Sequence, residues 1–548
     1  MKIVDVLLYG LLTVGVIVWW MRPLPNRHLI LIIIASAAIL LGLFGMLNDR
    51  WQAVATALFG VALLLPIVLA AIFGTTAQTD VPYLSGSAYA VFAVVAGSLL
   101  YFFPMTNLPT PSGPFIVGMR TFELTDQSRK GLFGVGKDDP RRLLIRVWYP
   151  AEKTGGRKPA PYFNAVEAKT TARGLSDIVG LGFLETYRRY AKTNSYIDAP
   201  IVSEEKTRPT VFFSHGAFGR LGQNTVLMEE LASHGYIIYS VQHTGEAVGT
   251  VFPNGDVISW DPSVKLVMKT SKEGRGDYKD AIAKAIGSDS LDERLAGQID
   301  WISRRQNDKE RLFTSEEFWV QDRLFVHDTL QKGEAPTEVM DVIARSDFER
   351  TGQIGMSYGG MVTSSICAFD KRCVAGISLD GVALQSSIFA HEMPQAFMIF
   401  YADHDSYYKA SLEKGFKYKG LKEKHWLHDF SYESFETSGQ RQDIHRIELS
   451  KVAHAGFTDA ALFTRRPVRD RSLGTAPTDV MLGAQNDFVR GFFDTYLRGE
   501  KVEFPQSQLD KYSEYTERRD TSHIREWWLS KSEEERADIH NQIEAIKN

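Results

Sequence analysis

A serine, a histidine and several aspartates occur in the chain order that nucleophilic acyl transfer requires. Ser357 lies within Gly355-Met-Ser-Tyr-Gly-Gly360, after an apolar run typical of a strand and before an amphipathic segment typical of a helix. In this setting the G-x-S-x-G pattern predicts a sharp turn that holds the serine hydroxyl above a sheet. The hydroxyl attacks a carbonyl only when a base takes its proton, so a histidine must lie beside it.

The predicted base is His454, which follows the last predicted strand in Lys451-Val-Ala-His-Ala-Gly-Phe457. The acid that orients this histidine is left open by the residues themselves. Asp380 ends one strand-like run, and Asp403 and Asp405 follow the next. Because both positions fall at the carboxyl edge of the same predicted sheet, spacing alone does not choose between them.

An earlier segment, Phe213-Ser-His-Gly-Ala-Phe-Gly219, has the composition of a loop that binds a developing oxyanion. A turn after a strand can aim backbone N–H groups at the negative oxygen of a tetrahedral intermediate. We expect the N–H groups of Ala217 and Tyr358 to be the two donors. His215 is expected to be structural rather than catalytic.

No motif in the chain predicts a metal or a cofactor. Gly131-Leu-Phe-Gly-Val-Gly-Lys137 matches most of a phosphate-binding loop, but Asp138 replaces the required Ser or Thr and a strand replaces the helix. His391-Glu392 lacks the second histidine of a zinc helix. A net charge of −4 gives no basic footprint for nucleic acid, so no nucleic-acid partner is expected.

The elements that must position these residues form an α/β pattern. Apolar runs rich in Val, Ile and Phe alternate with amphipathic segments, which predicts a mostly parallel sheet with helices on both faces. The runs are residues 143–149, 210–214, 236–242, 351–356, 373–379, 396–401 and, with weaker alternation, 443–450.

The first 104 residues have a different composition, with one Lys, three Arg, three Asp and no Glu. Four uncharged apolar stretches lie there, at residues 6–21, 29–46, 53–74 and 87–106. About 20 apolar residues span the hydrocarbon core, so we predict four transmembrane helices and an integral, multi-pass membrane protein, expected in a bacterial inner membrane. None has an ionisable residue at its centre, which favours an anchor or a lipid-facing platform over a transport pathway. The flanking basic residues are too evenly divided to predict the side of the membrane.

These observations predict four parts and one insertion. The parts are a transmembrane domain over 1–106, a linker over 107–130, a catalytic domain over 131–500 with a helical insertion at 250–350, and a polar tail over 501–548. The only two cysteines, Cys367 and Cys373, are six residues apart. A disulfide, which would indicate an oxidising compartment, and two buried thiols both fit that spacing.

Several motifs together resemble the platelet-activating factor acetylhydrolase family, in its plasma and type II group, over residues 131–457. They are Leu143-Leu-Ile-Arg-Val-Trp-Tyr-Pro150, Phe213-Ser-His-Gly216, Leu231-Ala-Ser-His-Gly-Tyr236 leading to Gln242-His243, the Gly355–Gly360 turn, Leu379-Asp-Gly381, and His454 followed by Phe457. The resemblance implies an α/β-hydrolase fold, Asp380 as the acid beside Ser357 and His454, and oxyanion donors at Ala217 and Tyr358. It also implies calcium-independent hydrolysis of short or oxidised acyl esters, typically at the sn-2 position of phospholipids.

The chain departs from this family at Ala217, where leucine is usual, and in its membrane helices and 250–350 segment. Our interpretation is a membrane-anchored serine ester hydrolase with a lipid or small-molecule ester as substrate. The alternatives are a small-molecule esterase, amidase or dienelactone-type hydrolase that uses the membrane part only as an anchor, and a non-catalytic scaffold or sensor. The intact serine, aspartate and histidine argue against the scaffold.

Overall fold

The N-terminal part of the molecule is a bundle of four apolar helices. They are α1 (Ile3–Trp20), α2 (Arg27–Leu47), α3 (Ala53–Ile72) and α4 (Tyr83–Phe102). The computed structural model describes residues 3–547 except 22–23, 48–49, 74–82, 105, 132–137, 180–181, 205, 262–279, 282–283, 308–310, 382–388 and 404–427.

Three of these helices are long and apolar enough to cross a membrane, over Arg27–Leu47, Ala53–Ile72 and Ser85–Phe102. The first is equally apolar over a shorter length, Val4–Trp20. Many of their large side chains face outwards, for example Leu40 at 69% exposure and Val94 at 68%. Such exposure of apolar side chains is the arrangement expected for helices surrounded by lipid.

The remaining chain is built on an eleven-stranded mixed sheet with the order β13-β12-β11-β10-β9-β5-β6-β2-β1-β4-β3. A separate hairpin holds β7 and β8. The strands are β1 (Ile116–Lys130), β2 (Pro140–Ala151), β3 (Pro159–Pro161), β4 (Lys192–Ile197), β5 (Arg208–Ser214), β6 (Ile237–Gln242), β7 (Gly249–Val251), β8 (Val257–Ser259), β9 (Ser346–Met356), β10 (Cys373–Leu379), β11 (Ala396–Ala402), β12 (Ile444–Leu449) and β13 (Thr516–Arg518).

Six consecutive strands of the sheet, from β6 through β5, β9, β10 and β11 to β12, run parallel. Their carboxyl ends therefore meet at one edge, where the loops after β5, β9, β10 and β12 lie together. The strands are buried on both faces, as parallel strands covered by helices must be. This edge is where the predicted site residues should converge.

Helices cover both faces of the sheet. One face packs on Leu231 of α6 and Phe492 of α13, and the other packs on Val326 and Leu330 of α8. The helices are α5 (Ala165–Val179), α6 (Thr225–Ser233), α7 (Leu291–Asn307), α8 (Arg311–Gln331), α9 (Met340–Ile343), α10 (Tyr358–Phe369), α11 (Ala460–Phe463), α12 (Val468–Ser472), α13 (Thr478–Tyr496), α14 (Gln506–Lys511), α15 (Ser522–Leu529) and α16 (Glu533–Lys547).

Two segments predicted to lie outside the sheet contribute strands to it. Residues 116–130, placed in a linker by the sequence pattern, form β1, which pairs antiparallel with β2 over most of its length. The polar tail adds β13 beside β12 and buries Trp528 completely. Charged residues interrupt both segments, so pairing with neighbouring strands rather than local periodicity makes them part of the fold.

The two cysteines form a disulfide between the end of α10 and the start of β10. Both are fully buried. The cross-link therefore joins the helix that follows Ser357 to the strand that leads to Asp380.

Candidate active site

Ser357 occupies a sharp turn between β9 and α10, as its motif predicts. Its φ of 54° lies in the left-handed region that non-glycine residues seldom adopt. Its N–H donates to the carbonyl oxygen of Leu379 at 2.8 Å, which holds the turn against the end of β10. At Gly359 a β-carbon would lie 2.1 Å from the carbonyl oxygen of Ser214, so only glycine permits this close approach of helix and strand.

His454 links Ser357 to Asp380. Its Nε2 lies 2.7 Å from Oγ of Ser357, and its Nδ1 lies 2.5 Å from Oδ2 of Asp380. An ionised carboxylate can only accept, so Nδ1 carries the proton and Nε2 is left to accept from the serine hydroxyl. Asp380 Oδ1 accepts the N–H of Ala402 at 2.8 Å, which fixes the carboxylate in the loop after β10.

The competing acids have different positions. Asp403 Oδ2 accepts the N–H of Lys451 at 2.8 Å, and the N–H of Asp403 donates to the carbonyl oxygen of Val452 at 2.7 Å. Asp403 thus stabilises the segment that leads to His454. Asp405 lies outside the described residues.

The environment of His454 favours its protonated form. Desolvation lowers the pKa of the imidazole, but the hydrogen bond to Asp380 and the negative charge of that carboxylate raise it further, and the net shift is upwards. The Asp380 side chain is almost completely buried, whereas 44% of the His454 side chain is exposed. The pair can therefore stabilise an imidazolium beside Ser357 while its outer edge stays accessible.

The loop of Ala217 lies directly against the serine. A β-carbon built on Gly216 would be 3.2 Å from the β-carbon of Ser357. Ala217 itself is exposed, and Tyr358 is the first residue of α10, where helix N–H groups point out along the axis. One predicted donor therefore belongs to a loop beside Ser357, and the other belongs to the residue that follows Ser357 in the chain.

Among the residues that the structure describes, no group of three or more His, Cys, Asp or Glu side chains could hold a metal ion.

A buried cluster behind the site was missed by the sequence analysis. Trp319 and Asp322, both on α8, contact His243, whose ring lies 3.8 Å from that of Trp319 and 2.9 Å from Asp322 Oδ2. In the sequence, the Gln242-His243 pair stands out only as part of the family resemblance. Trp319 and Asp322 lie in a charged segment that the sequence pattern predicts to be an insertion, and nothing local in the sequence indicates their contacts with the β5 and β6 loops.

The mostly parallel sheet, the turn at Ser357 and the helices on both faces have the architecture of an α/β hydrolase, which confirms the predicted fold class. Residues 100–270 match the family model described as platelet-activating factor acetylhydrolase, isoform II. The resemblance to this family that the sequence motifs indicate is thereby confirmed.

Two curated relatives carry related names. The chain is 24% identical to the "Probable 1-alkyl-2-acetylglycerophosphocholine esterase" of Arthroderma benhamiae, over 56% of this chain and 68% of that protein. It is 22% identical to the platelet-activating factor acetylhydrolase of Cavia porcellus, over 55% of this chain and 61% of that protein. The alignments therefore leave about a third of the first relative and about two fifths of the second without a counterpart in this chain.

Among solved structures, the chain is similar to a ferulic acid esterase from Streptomyces cinnamoneus. The superposition has a TM-score of 0.47 and 21% sequence identity, and it covers 73% of this chain and 95% of that one.

Proposed function

We propose that this chain is a membrane-anchored serine ester hydrolase in which Ser357 is the nucleophile, His454 the base and Asp380 the orienting acid. The proposal rests on one observation, the continuous hydrogen-bond chain from Ser357 Oγ through both nitrogens of His454 to Asp380 Oδ2. The order of serine, acid and histidine along the chain is that of α/β hydrolases.

In the acylation step, Ser357 Oγ bonds to the ester carbonyl carbon while its proton passes to Nε2 of His454. The carbonyl oxygen becomes an oxyanion that accepts the N–H groups of Ala217 and Tyr358. When the tetrahedral intermediate collapses, His454 returns the proton to the departing alkoxide and an acyl-serine remains. Water then attacks the acyl-serine with the same base, which releases the carboxylic acid and restores Ser357.

The substrate class we propose is an ester with a short or oxidised acyl chain, including the sn-2 ester of a phospholipid. It is supported by the family resemblance and by the names of the two curated relatives. The length and apolar composition of the N-terminal helices support an integral membrane location. Such a location would hold an ester-cleaving site close to the bilayer that supplies such lipids. Resistance of the full-length chain to alkaline extraction from membranes would test that location.

The decisive experiment combines active-site labelling with a substrate series. Purified full-length protein is treated with a fluorophosphonate probe, and hydrolysis is followed on phosphatidylcholines whose sn-2 chain ranges from acetyl to palmitoyl, and on p-nitrophenyl esters. We expect label on Ser357, and faster turnover of acetyl than of palmitoyl lipid. In Ser357→Ala, label and hydrolysis should both disappear.

Each alternative has its own signature in this experiment. Hydrolysis of p-nitrophenyl esters without hydrolysis of any phospholipid would replace the lipid substrate by a small-molecule ester. Undiminished hydrolysis by Ser357→Ala would overturn the mechanism. No labelling and no turnover by folded wild-type protein would leave the scaffold interpretation.

A further inference from the structure

We propose that His215 and Trp319 are positioning residues for the oxyanion site. His215 fixes the peptide that carries the Ala217 N–H, and Trp319 packs against His215 and Tyr358, which lie next to the two predicted donors. The inference deepens the proposed function and rests on it. It concerns buried groups that the mechanism above does not use.

The hydrogen bonds of His215 define its protonation state. Its Nε2 accepts the backbone N–H of His243 at 3.2 Å, so this nitrogen carries no proton. Its Nδ1 lies 2.7 Å from the carbonyl oxygen of Gly216 and must therefore donate to it. His215 is thus the neutral tautomer protonated on Nδ1, in agreement with complete burial, which lowers its pKa to about 3.

This donor sets the direction of the peptide that follows. The carbonyl oxygen of Gly216 also accepts the N–H of Gly219 at 2.8 Å, so it is held from two sides. In a planar trans peptide the N–H points opposite to the C=O. The N–H of Ala217 consequently points away from His215, on a loop whose Gly216 lies against Ser357. Without the His215 donor, the 216–217 peptide would lose one of the two bonds that orient it.

Trp319, on α8, contacts residues next to both predicted oxyanion donors. Its ring stacks on His243 at 3.8 Å with 7° between the planes, and it contacts His215 edge-on at 4.9 Å. It also contacts the ring of Tyr358, the residue that carries the second predicted donor, at 4.7 Å. The indole is fully buried, and its Nε1 donates to Glu246 Oε2 at 2.6 Å, which fixes its orientation.

His243 is in turn fixed from β5 and α8. Asp322 Oδ2 accepts from His243 Nδ1 at 2.9 Å and from Arg141 at 2.6 Å, in a pocket without solvent exposure. His243 Nε2 is then left to accept from the hydroxyl of Ser214, 3.1 Å away at the end of β5. The backbone N–H that binds His215 therefore belongs to a residue held on both ring nitrogens. All four ring nitrogens of His215 and His243 have hydrogen-bond partners, and buried groups paired in this way favour one geometry.

The first test compares three substitutions of His215 in the full-length protein. Asn retains a donor at the position of Nδ1, Gln places an amide near Nε2, and Leu retains neither. Turnover is measured on an ester and on the thionoester of the same acid and alcohol, whose sulfur accepts hydrogen bonds weakly. Losing one oxyanion donor costs about 10²- to 10³-fold in kcat.

We expect His215→Leu to lower ester kcat by about 10²-fold with little change in KM, and to reduce the ester-to-thionoester rate ratio at least about ten-fold. His215→Asn should restore most of that ratio, and His215→Gln should not. A general packing defect would slow both substrates equally and leave the ratio unchanged. An unchanged ratio in a folded, labelled His215→Leu, or equal rescue by Gln and Asn, would overturn the proposal.

The second test concerns the packing and the hydrogen bond of Trp319. Trp319→Phe retains a stacked ring but loses the Nε1 donor, whereas Trp319→Leu loses the stacking as well. We expect the ester-to-thionoester ratio to fall in the order wild type, Phe, Leu. A ratio that is equal in all three proteins would remove Trp319 from the proposal. If the wild-type protein were not labelled by the fluorophosphonate at Ser357, the proposed function itself would be refuted. The two failures are therefore distinguishable.

Discussion

The helix bundle and the sheet hold their buried polar groups in different ways. In the bundle several of these contacts link segments directly: Asp5 binds Arg50, and the hydroxyl groups of Tyr9 and Tyr89 donate to the carbonyl oxygens of Gly97 and Ala62, each at 2.9 Å. Each contact joins two separate segments of the bundle. Such contacts compensate part of the cost of removing polar groups from water.

At the carboxyl edge of the sheet the contacts are shared instead. Asp322 binds His243, Arg141 and Arg129, and Gly216 O accepts from two groups. One branch ends on the loop of Ala217, beside Ser357. Buried polar contacts in the bundle therefore hold its segments together, whereas those at the carboxyl edge of the sheet also orient groups beside Ser357. The two regions should therefore respond separately to substitution.

The largest effect is expected at the acid. Asp380→Asn leaves the shape of the site but can no longer hold His454 in the tautomer that accepts from Ser357, which should lower kcat by about 10⁴-fold. The matched control is Asp403→Asn, which changes a carboxylate that binds the segment before His454 and should cost far less. Steady-state kinetics on a p-nitrophenyl ester measure both. Equal losses in the two variants would refute the assignment of the acid.

The second effect falls in the bundle. Arg50→Gln removes a buried cation that binds Asp5, which should destabilise the helices by about 3–5 kcal/mol. The measurement is thermal unfolding of the protein in lipid nanodiscs, with kcat followed in parallel on the intact fraction. Asp5→Asn/Arg50→Gln should recover part of the loss, because the opposite charge is removed as well. A fall in kcat of the folded fraction would break the separation between the two regions.

A smaller effect is expected from the disulfide. Removing a cross-link that closes a loop of this length lowers the free energy of unfolding by about 2 kcal/mol. Cys367→Ala/Cys373→Ala should therefore lose activity at lower urea concentrations than wild type, with kcat in the absence of urea little changed. Lys371→Ala, an exposed residue between the two cysteines, is the matched control. Equal urea midpoints for all three proteins would contradict the expectation.

The smallest effect concerns pH. His454 acts as a base only when neutral, and its pKa is raised by Asp380, so kcat/KM should reach half of its plateau on the acidic side above the ordinary value of 6.5. In Asp380→Asn the raising charge is gone, and the midpoint should move to lower pH. The acidic midpoint is measured from the profile of kcat/KM between about pH 4 and 9, which spans the titration of a histidine. An unchanged midpoint in Asp380→Asn would contradict the expectation that Asp380 raises the pKa of His454.

Much of this arrangement could be predicted from local sequence. Glycines around Ser357 and the strand before it specify the turn, and His454 follows a recognisable strand. The choice between Asp380 and Asp403 could not be made locally, because each ends a neighbouring parallel strand. The resemblance to a family favours Asp380, and the structure places Asp380 in contact with His454.

Other features depend on contacts between distant segments. The strand β1 has charged residues among its apolar ones, and it becomes a strand by pairing with β2. Trp319 acquires its neighbours because α8 crosses the ends of β5 and β6. Neither relation has a local periodicity, so neither could be read from residue types.

Two of the three residues in the proposed triad have backbone angles that glycine prefers. The φ of Ser357 is 54° and that of Asp380 is 53°, and such conformations cost about 1–3 kcal/mol each. Stability and activity should therefore change in opposite directions at Ser357. A Ser357→Gly protein should melt at a higher temperature than its parent while hydrolysing nothing, so selection for thermal robustness alone would tend to discard the nucleophile.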